Sequence, residues 1–246
     1  MKIQTRQSRV IAVVPAAGLG KRFGADANKP FLLLGGKPLI IWPLEVLESI
    51  PDIVEIIPAL KPGDMEQGQR VFEEYGLKKI KKIAPGGKER QDSVYNCLKL
   101  IQDKDSIVMI HDGVRPLIEK NIVEDALKEL GPDRQAIKDK GGFDGVVLAV
   151  PVKDTIKVIQ DMFVTRTLKR ESIRAIQTPQ IFPYEVILKA YDRAMKEGLY
   201  STDDSALVER YGGKVRIVMG SYRNIKITTQ EDLVIAEAFL RDSSIK

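Results

Sequence analysis

Val10-Ile11-Ala12-Val13-Val14-Pro15-Ala16-Ala17-Gly18-Leu19-Gly20-Lys21-Arg22-Phe23-Gly24 is the stretch whose reading decides the fold. It begins as a continuous apolar run rich in β-branched residues, the pattern of a strand buried on both faces. The run then opens into small residues and glycines, whose backbone N–H groups can approach a ligand with no Cβ in the way. In an open α/β sheet, ligands collect at the carboxyl ends of the strands. Neither familiar phosphate motif is present. Gly18-Leu19-Gly20 lacks the third glycine of a dinucleotide fingerprint, and Gly20-Lys21 is followed by Arg22, not by the Ser or Thr of a Walker A loop. The loop instead carries its own cations, Lys21 and Arg22, and Lys29 follows in Asn28-Lys29-Pro30-Phe31. Converging cations suit a triphosphate, Arg through paired contacts and Lys as a point charge. A solvated turn with surface lysines is the alternative.

The same rhythm continues outward. Apolar runs at 53–57, 80–83, 107–110 and 146–150 read as further strands, and 39–50, 64–75, 91–101 and 119–130 carry apolar residues at helical spacing. This alternation predicts an α/β fold, a Rossmann-like, mostly parallel sheet flanked by helices, in one domain over 1–246. Residues 151–170 break the rhythm with two short β-like runs and no helix between them, read as a protruding arm over 151–172. Helices at 184–197 and 203–211, a strand at 215–219 and a closing helix from Gln230 complete the reading.

Composition bounds the function. Lys and Arg outnumber Asp and Glu by 39 to 34, a surplus that suits an anionic ligand and is too small to argue for nucleic acid. The basic run Lys78-Lys79-Ile80-Lys81-Lys82 reads as the solvated entry to a strand. Cys97 is the single cysteine, which excludes an internal disulfide and a cysteine-rich zinc site. No apolar run approaches the ~20 residues that span a bilayer, so a cytoplasmic protein without membrane partners is expected.

Eight segments in order resemble the 2-C-methyl-D-erythritol 4-phosphate cytidylyltransferase family. They are Pro15-Ala16-Ala17-Gly18-x-Gly20, Lys29-Pro30, Gly86-Gly87-Lys88-Glu89-Arg90-Gln91-Asp92-Ser93-Val94, His111-Asp112-Gly113-Val114-Arg115-Pro116, Pro151-Val152-Lys153-Asp154-Thr155, Thr178-Pro179-Gln180, Thr202-Asp203-Asp204 and Asn224-Ile225-Lys226-Ile227-Thr228. The resemblance implies transfer of CMP from CTP to a small sugar-alcohol phosphate with release of pyrophosphate. It implies that Pro15, Ala16, Ala17, Gly18 and Gly20 hold the CTP phosphates, with Arg22, Lys29 and Lys226 as the catalytic cations. Gly86, Gly87, Lys88 and Ser93 would line the cytidine pocket, with Gly113 also on the nucleotide side. Asp112 would bind Mg2+, and Arg115, Thr155, Arg170 and Thr202 would handle the acceptor. Thr155 and Arg170 would come from an arm reaching into a partner subunit, which implies a homodimer.

Elementary chemistry agrees with these residue types. A phosphate monoester, with its second pKa near ~6, is largely ionised at neutral pH, so the nucleophile needs no general base. It does need cations, because two anions must meet. Asp112 follows the apolar run at 107–110 and should project at the sheet's carboxyl edge; a turn-capping Asp is the alternative. His111, its neighbour, should point the other way and be packed. The Gly86–Ser93 segment has the composition of any strand-to-helix turn, and Thr202-Asp203-Asp204 that of a helix N-cap. Rival readings are a ribitol 5-phosphate cytidylyltransferase and a non-catalytic nucleotide sensor.

Overall fold

In a computed structural model, residues 9–18, 28–131 and 142–242 are described. The strands are β1 (Val10–Pro15), β2 (Leu33–Leu34), β3 (Lys37–Pro38), β4 (Ile53–Leu60), β5 (Ala84–Pro85), β6 (Ile107–Ile110), β7 (Gly145–Pro151), β8 (Lys157–Gln160), β9 (Phe163–Thr167), β10 (Arg174–Pro183) and β11 (Val215–Met219). The helices are α1 (Ile41–Glu48), α2 (Met65–Glu74), α3 (Arg90–Leu100), α4 (Lys120–Leu130), α5 (Tyr184–Glu197), α6 (Asp204–Arg210) and α7 (Gln230–Arg241).

Seven strands form one sheet in the order β11-β7-β10-β6-β1-β4-β5. β1 lies between β4 and β6, parallel to both, so its apolar run is covered on either face. Successive side chains of a strand alternate between faces, and the core divides accordingly. Val10, Ala12 and Val14 pack with residues of α1, α2 and α4. Ile11 and Val13 pack with residues of α3, α5 and α6. Burial on both faces is why β1 reads as a continuous apolar run instead of an alternating one.

Two elements differ from the sequence reading. The run at 80–83 is no strand: Ile80 makes only an isolated bridge to Ile56, and the strand proper is the two-residue β5. The larger difference is β10, a ten-residue strand antiparallel to both β6 and β7. Its sequence hides it, because Gln177-Thr178-Pro179 interrupts the apolar pattern and proline cannot donate to a ladder. The structure accommodates these residues with a register shift between Ile176 and Gln180, so 177–179 bulge out of the pairing with β7. Bulges re-aim side chains beside functional sites, and this one turns the Thr178 hydroxyl toward the backbone of Asp112.

The arm expected over 151–172 contains the hairpin β8–β9, a separate two-stranded sheet with every residue exposed. Its two-residue turn, Asp161-Met162, has positive φ at both positions (47° and 67°). That geometry matches the twist of a tight hairpin, although neither residue is the usual glycine.

Gly145, at the start of β7, has no room for a side chain: a Cβ there would run into the ring of Phe182 and stand 3.0 Å from the Ile181 carbonyl. Phe182 is fully buried and cannot yield. Gly145→Ala should therefore destabilise the protein by about 1–3 kcal/mol, the usual cost of overpacking, read as a lower midpoint in urea unfolding. An unchanged midpoint would contradict the packing described.

Candidate active site

The loops leaving β1, β6 and β11 converge with the turn between β5 and α3. Backbone bonds pin them together: Ala16 N donates to Ala59 O (2.9 Å), Gly86 N to Leu60 O (2.6 Å), Gly113 N to Pro15 O (3.2 Å) and Ile227 N to Val114 O (2.9 Å). Gly86 must be glycine for this approach, because a Cβ would collide with that of Ala17. The next turn is held from within. Gly87 N donates to Ser93 Oγ (3.1 Å) and Ser93 Oγ donates to Glu89 O (3.2 Å), while Glu89 and Asp92 form a capping box on α3.

Asp112 is the centre of the arrangement. Its backbone N–H donates to Thr178 Oγ1 (3.0 Å), the hydroxyl carried out of β10 by the bulge. Its carboxylate Oδ1 accepts from Arg90 Nε (2.8 Å), and Oδ2 accepts from Lys226 Nζ (2.9 Å), with Arg115 Nε 3.6 Å away. Arg90 also forks onto Asp204, NH1 to Oδ1 (2.9 Å) and NH2 to Oδ2 (2.8 Å). Burial alone would push the Asp112 carboxyl up, but Arg90, then Lys226 and Arg115, hold it well below the usual carboxylate range. Lys226 is positioned by its neighbours: Asn224 O accepts from Arg115 NH1 (2.7 Å), and Asn224 Nδ2 donates to Thr178 O (2.8 Å).

His111 is fully buried, as expected of a packed histidine, and lines neither of the cavities beside Asp112. Nε2 is 3.2 Å from Arg115 O and Nδ1 is 3.1 Å from Thr178 Oγ1. Burial pushes its pKa down to about 4.

Two cavities meet at Asp112. The first, about 350 Å³, is lined by Pro15, Ala16, Ala17 and Gly18, by Lys29 and Pro30, by Gly87, Lys88, Glu89, Arg90 and Ser93, and by Asp112, Val114 and Lys226. The second, about 430 Å³, includes Arg115, Gln177, Thr178, Gln180, Thr202, Asp203, Ser205 and Glu209. Arg90, Asp112 and Lys226 line both.

The residues singled out in the sequence are thus distributed unevenly. Gly86 and Gly113 pack behind the first cavity instead of lining it. Arg115 and Thr202 line the second. Thr155 and Arg170 are exposed on the arm and line neither cavity; Arg170 NH1 donates to Lys153 O (3.1 Å). Gly20 and Arg22 lie outside the described residues. Sequence reasoning missed the roles of Arg90, Asp204, Thr178 and Asn224. All four stand in segments quoted above, but Arg90 and Asp204 are 114 positions apart, and no local pattern pairs them. Asp203, not Thr202, caps α6, accepting from Ala206 N (3.1 Å).

Among the described residues, no group of three or more His, Cys, Asp or Glu side chains could hold a metal. The donor set at the junction is the single Asp112 carboxylate. It fits a hard cation that keeps its waters and takes further oxygens from phosphates; such an ion would share the carboxylate with Lys226.

A mostly parallel sheet whose strand ends present a glycine-lined cleft beside a cation cluster is the framework of a nucleotidyltransferase. A sequence model of the 2-C-methyl-D-erythritol 4-phosphate cytidylyltransferase family matches residues 10–242, and the chain belongs to that family. It is 45% identical over 236 residues to the 2-C-methyl-D-erythritol 4-phosphate cytidylyltransferase of Geotalea uraniireducens, covering 95% of this chain and 97% of the relative. Its structure is similar to that of a 4-diphosphocytidyl-2C-methyl-D-erythritolsynthase from Anaerococcus prevotii, with a TM-score of 0.80, 31% identity, and 95% and 96% of the two chains covered. It is also similar to the 2-C-methyl-D-erythritol 4-phosphate cytidylyltransferase of Thermus thermophilus, with a TM-score of 0.72, 30% identity, and 93% and 98% covered. The ribitol phosphate reading is accordingly not favoured. No helix among the described residues is long and apolar enough to cross a membrane.

The depressed pKa of His111 carries a pH signature. Between about pH 4 and the ordinary value near 6.5 the unfolded chain binds a proton at this residue that the folded one does not. Its contribution to stability is therefore complete above pH 6.5 and declines as pH falls toward 4. A His111→Gln variant should show a shallower loss of urea-unfolding stability over that window, and an identical slope would contradict the assignment.

Proposed function

We propose that this chain transfers the cytidylyl group of CTP to 2-C-methyl-D-erythritol 4-phosphate and releases pyrophosphate, a step of isoprenoid precursor synthesis by the non-mevalonate route. The observation that carries the reading is the pair of cavities sharing Arg90, Asp112 and Lys226. One cavity takes the nucleotide and the other the acceptor, and the shared wall is where their phosphates meet. An oxygen of the acceptor phosphate attacks the α-phosphorus of CTP, and the bond from that phosphorus to the pyrophosphate oxygen breaks. The attacking oxygen is already ionised at neutral pH, which agrees with the single histidine of the chain being fully buried, with both ring nitrogens engaged by Arg115 O and Thr178 Oγ1.

The chain's task is then to neutralise and align. Lys226, 40% exposed beside Asp112, reaches the reacting phosphorus, and Lys29 on the first cavity's wall holds the triphosphate, a task the family resemblance also gives to Arg22. Ala17 and Gly18 offer backbone N–H groups to the phosphates, Pro15 and Ala16 line the same wall, and the sequence places Gly20 in the same loop. Gly87, Lys88 and Ser93 face the cytidine, while Gly86 and Gly113 pack behind Ala17 and Ala16 and so support the phosphate side of the nucleotide cavity. Arg115 and Thr202 bind the acceptor phosphate and hydroxyls. Asp112 would hold Mg2+, which when bound adds charge neutralisation to that of the cations.

The arm serves a second copy of the chain. Ile159, Met162, Phe163 and Val164 are large apolar side chains 59–90% exposed, a patch that an isolated chain would leave against water. Thr155 and Arg170 at its base complete the partner's acceptor cavity, and the working form is a homodimer in the cytoplasm.

Pyrophosphate release with each of CTP, ATP, GTP and UTP, and with either methylerythritol phosphate or ribitol 5-phosphate, tests the reaction. Release is expected with CTP and methylerythritol phosphate, and equal release with ribitol 5-phosphate would overturn the acceptor. Lys226→Ala should lower kcat by ~10²–10³, the usual loss when a transition-state charge partner is removed. The dimer is tested by Phe163→Asp, which should sediment as a monomer with a raised KM for the acceptor; a variant that remains dimeric would refute the arm's role.

A further inference from the structure

We propose that Arg90, Asp204 and Tyr191 form a buried positioning relay, in which Asp204 holds Arg90 so that Arg90 anchors one oxygen of Asp112 and turns the other toward Lys226 at the junction of the two cavities. This inference rests on the cytidylyltransferase reading and adds residues to it.

The relay is built from three helices. Arg90 is the first residue of α3, Asp204 the first of α6, and Tyr191 lies in the middle of α5. Asp204 is completely buried, and both its oxygens accept from the guanidinium fork of Arg90. The Tyr191 hydroxyl, also buried, donates to Asp204 Oδ1. Tyr191 is in turn fixed by a stacked contact with Tyr95, ring centroids 6.2 Å apart and 10° from parallel. With two nitrogens engaged, the planar guanidinium has one orientation left, and Nε meets Asp112 Oδ1 at 2.8 Å. Burial and Asp204 act oppositely on Arg90, and the two carboxylates win, raising its pKa well above the usual value.

Two features argue for a functional rather than a merely stabilising device. A buried ion network is often no better for stability than apolar residues of the same shape. This one also ends on the single carboxylate shared by the two cavities. Without Asp204, Arg90 would be free to turn toward a triphosphate in the first cavity, and Asp112 would be drawn by Lys226 and Arg115 alone. With it, Oδ1 is the anchored oxygen and Oδ2 is turned toward Lys226.

Asp204→Asn, Arg90→Lys and Tyr191→Phe test the relay in steady-state pyrophosphate release, with the unsubstituted protein measured in parallel. No turnover by the unsubstituted protein would mean that the reaction, not the relay, is wrongly assigned. Asp204→Asn should lower kcat about 10–100-fold, the range typical of partners that orient a ligating group, with the CTP KM changed by less than about threefold. Tyr191→Phe, which leaves the ion pairs intact, should lose less than Asp204→Asn. In an Asp112→Asn background the Asp204→Asn loss should shrink to within about twofold, because groups acting through one another are not additive. Arg90→Lys keeps the charge but not the fork and serves in place of Asp204→Asn should the latter fail to fold; a similar fall in kcat is expected. A kcat within about twofold of the unsubstituted protein alongside a lowered melting temperature, or the full Asp204→Asn loss repeated on top of Asp112→Asn, would overturn the proposal.

Discussion

Placing a carboxylate where water is scarce and keeping it ionised is the constraint around which the rest is arranged. Asp112 is 6% exposed at its side chain, and isolated burial of such a charge would cost several kcal/mol. Three cations and a hydroxyl-to-amide contact surround it, and they come from α3, from the loop after β6, from the segment after β11 and from the bulge of β10. Each must arrive for the others to be tolerated. The cluster therefore ties the ends of distant elements together and gathers positive charge at the junction of two cavities.

The bulge in β10 shows how fold and site depend on each other. A strand paired without interruption would keep residues 177–179 in the ladder, with the Thr178 carbonyl and hydroxyl used or turned away. Slipping the register frees them, so the hydroxyl meets both Asp112 N and His111 Nδ1 while the carbonyl accepts from Asn224. Asn224 in turn presents its own carbonyl to Arg115. One local irregularity thus organises the backbone of the Asp112 loop and the segment that carries Lys226.

In the proposed reaction the protein has little covalent chemistry to perform. Two phosphate anions must be brought together, aligned and screened, and positioning with preorganised charge is the principal means available. A site assembled from strand ends and held by buried ion pairs suits that task, because its cations need not reorganise as charge moves. The burial of the single histidine is consistent with a mechanism in which no side chain relays a proton.

Much of the fold was legible because its signals are local. The β-branched run at Val10–Pro15 announces a strand covered on both faces, and helices α2 and α4 carry their apolar residues at helical spacing. Glycine and small residues at 15–18, the cation Lys29, and the carboxylate of Asp112 after an apolar run likewise speak for a phosphate site from composition and order alone. The two-residue β5, the broken strand β10 and the partnership of Arg90 with Asp204 do not. Their existence depends on contacts between segments far apart in the chain. Only packing decides whether a proline-interrupted stretch enters a sheet or which buried acid an arginine forks onto. Local sequence determined which residues could do chemistry; the tertiary structure decided which of them meet, because the cost of burying a charge is met only by a partner brought from elsewhere in the fold.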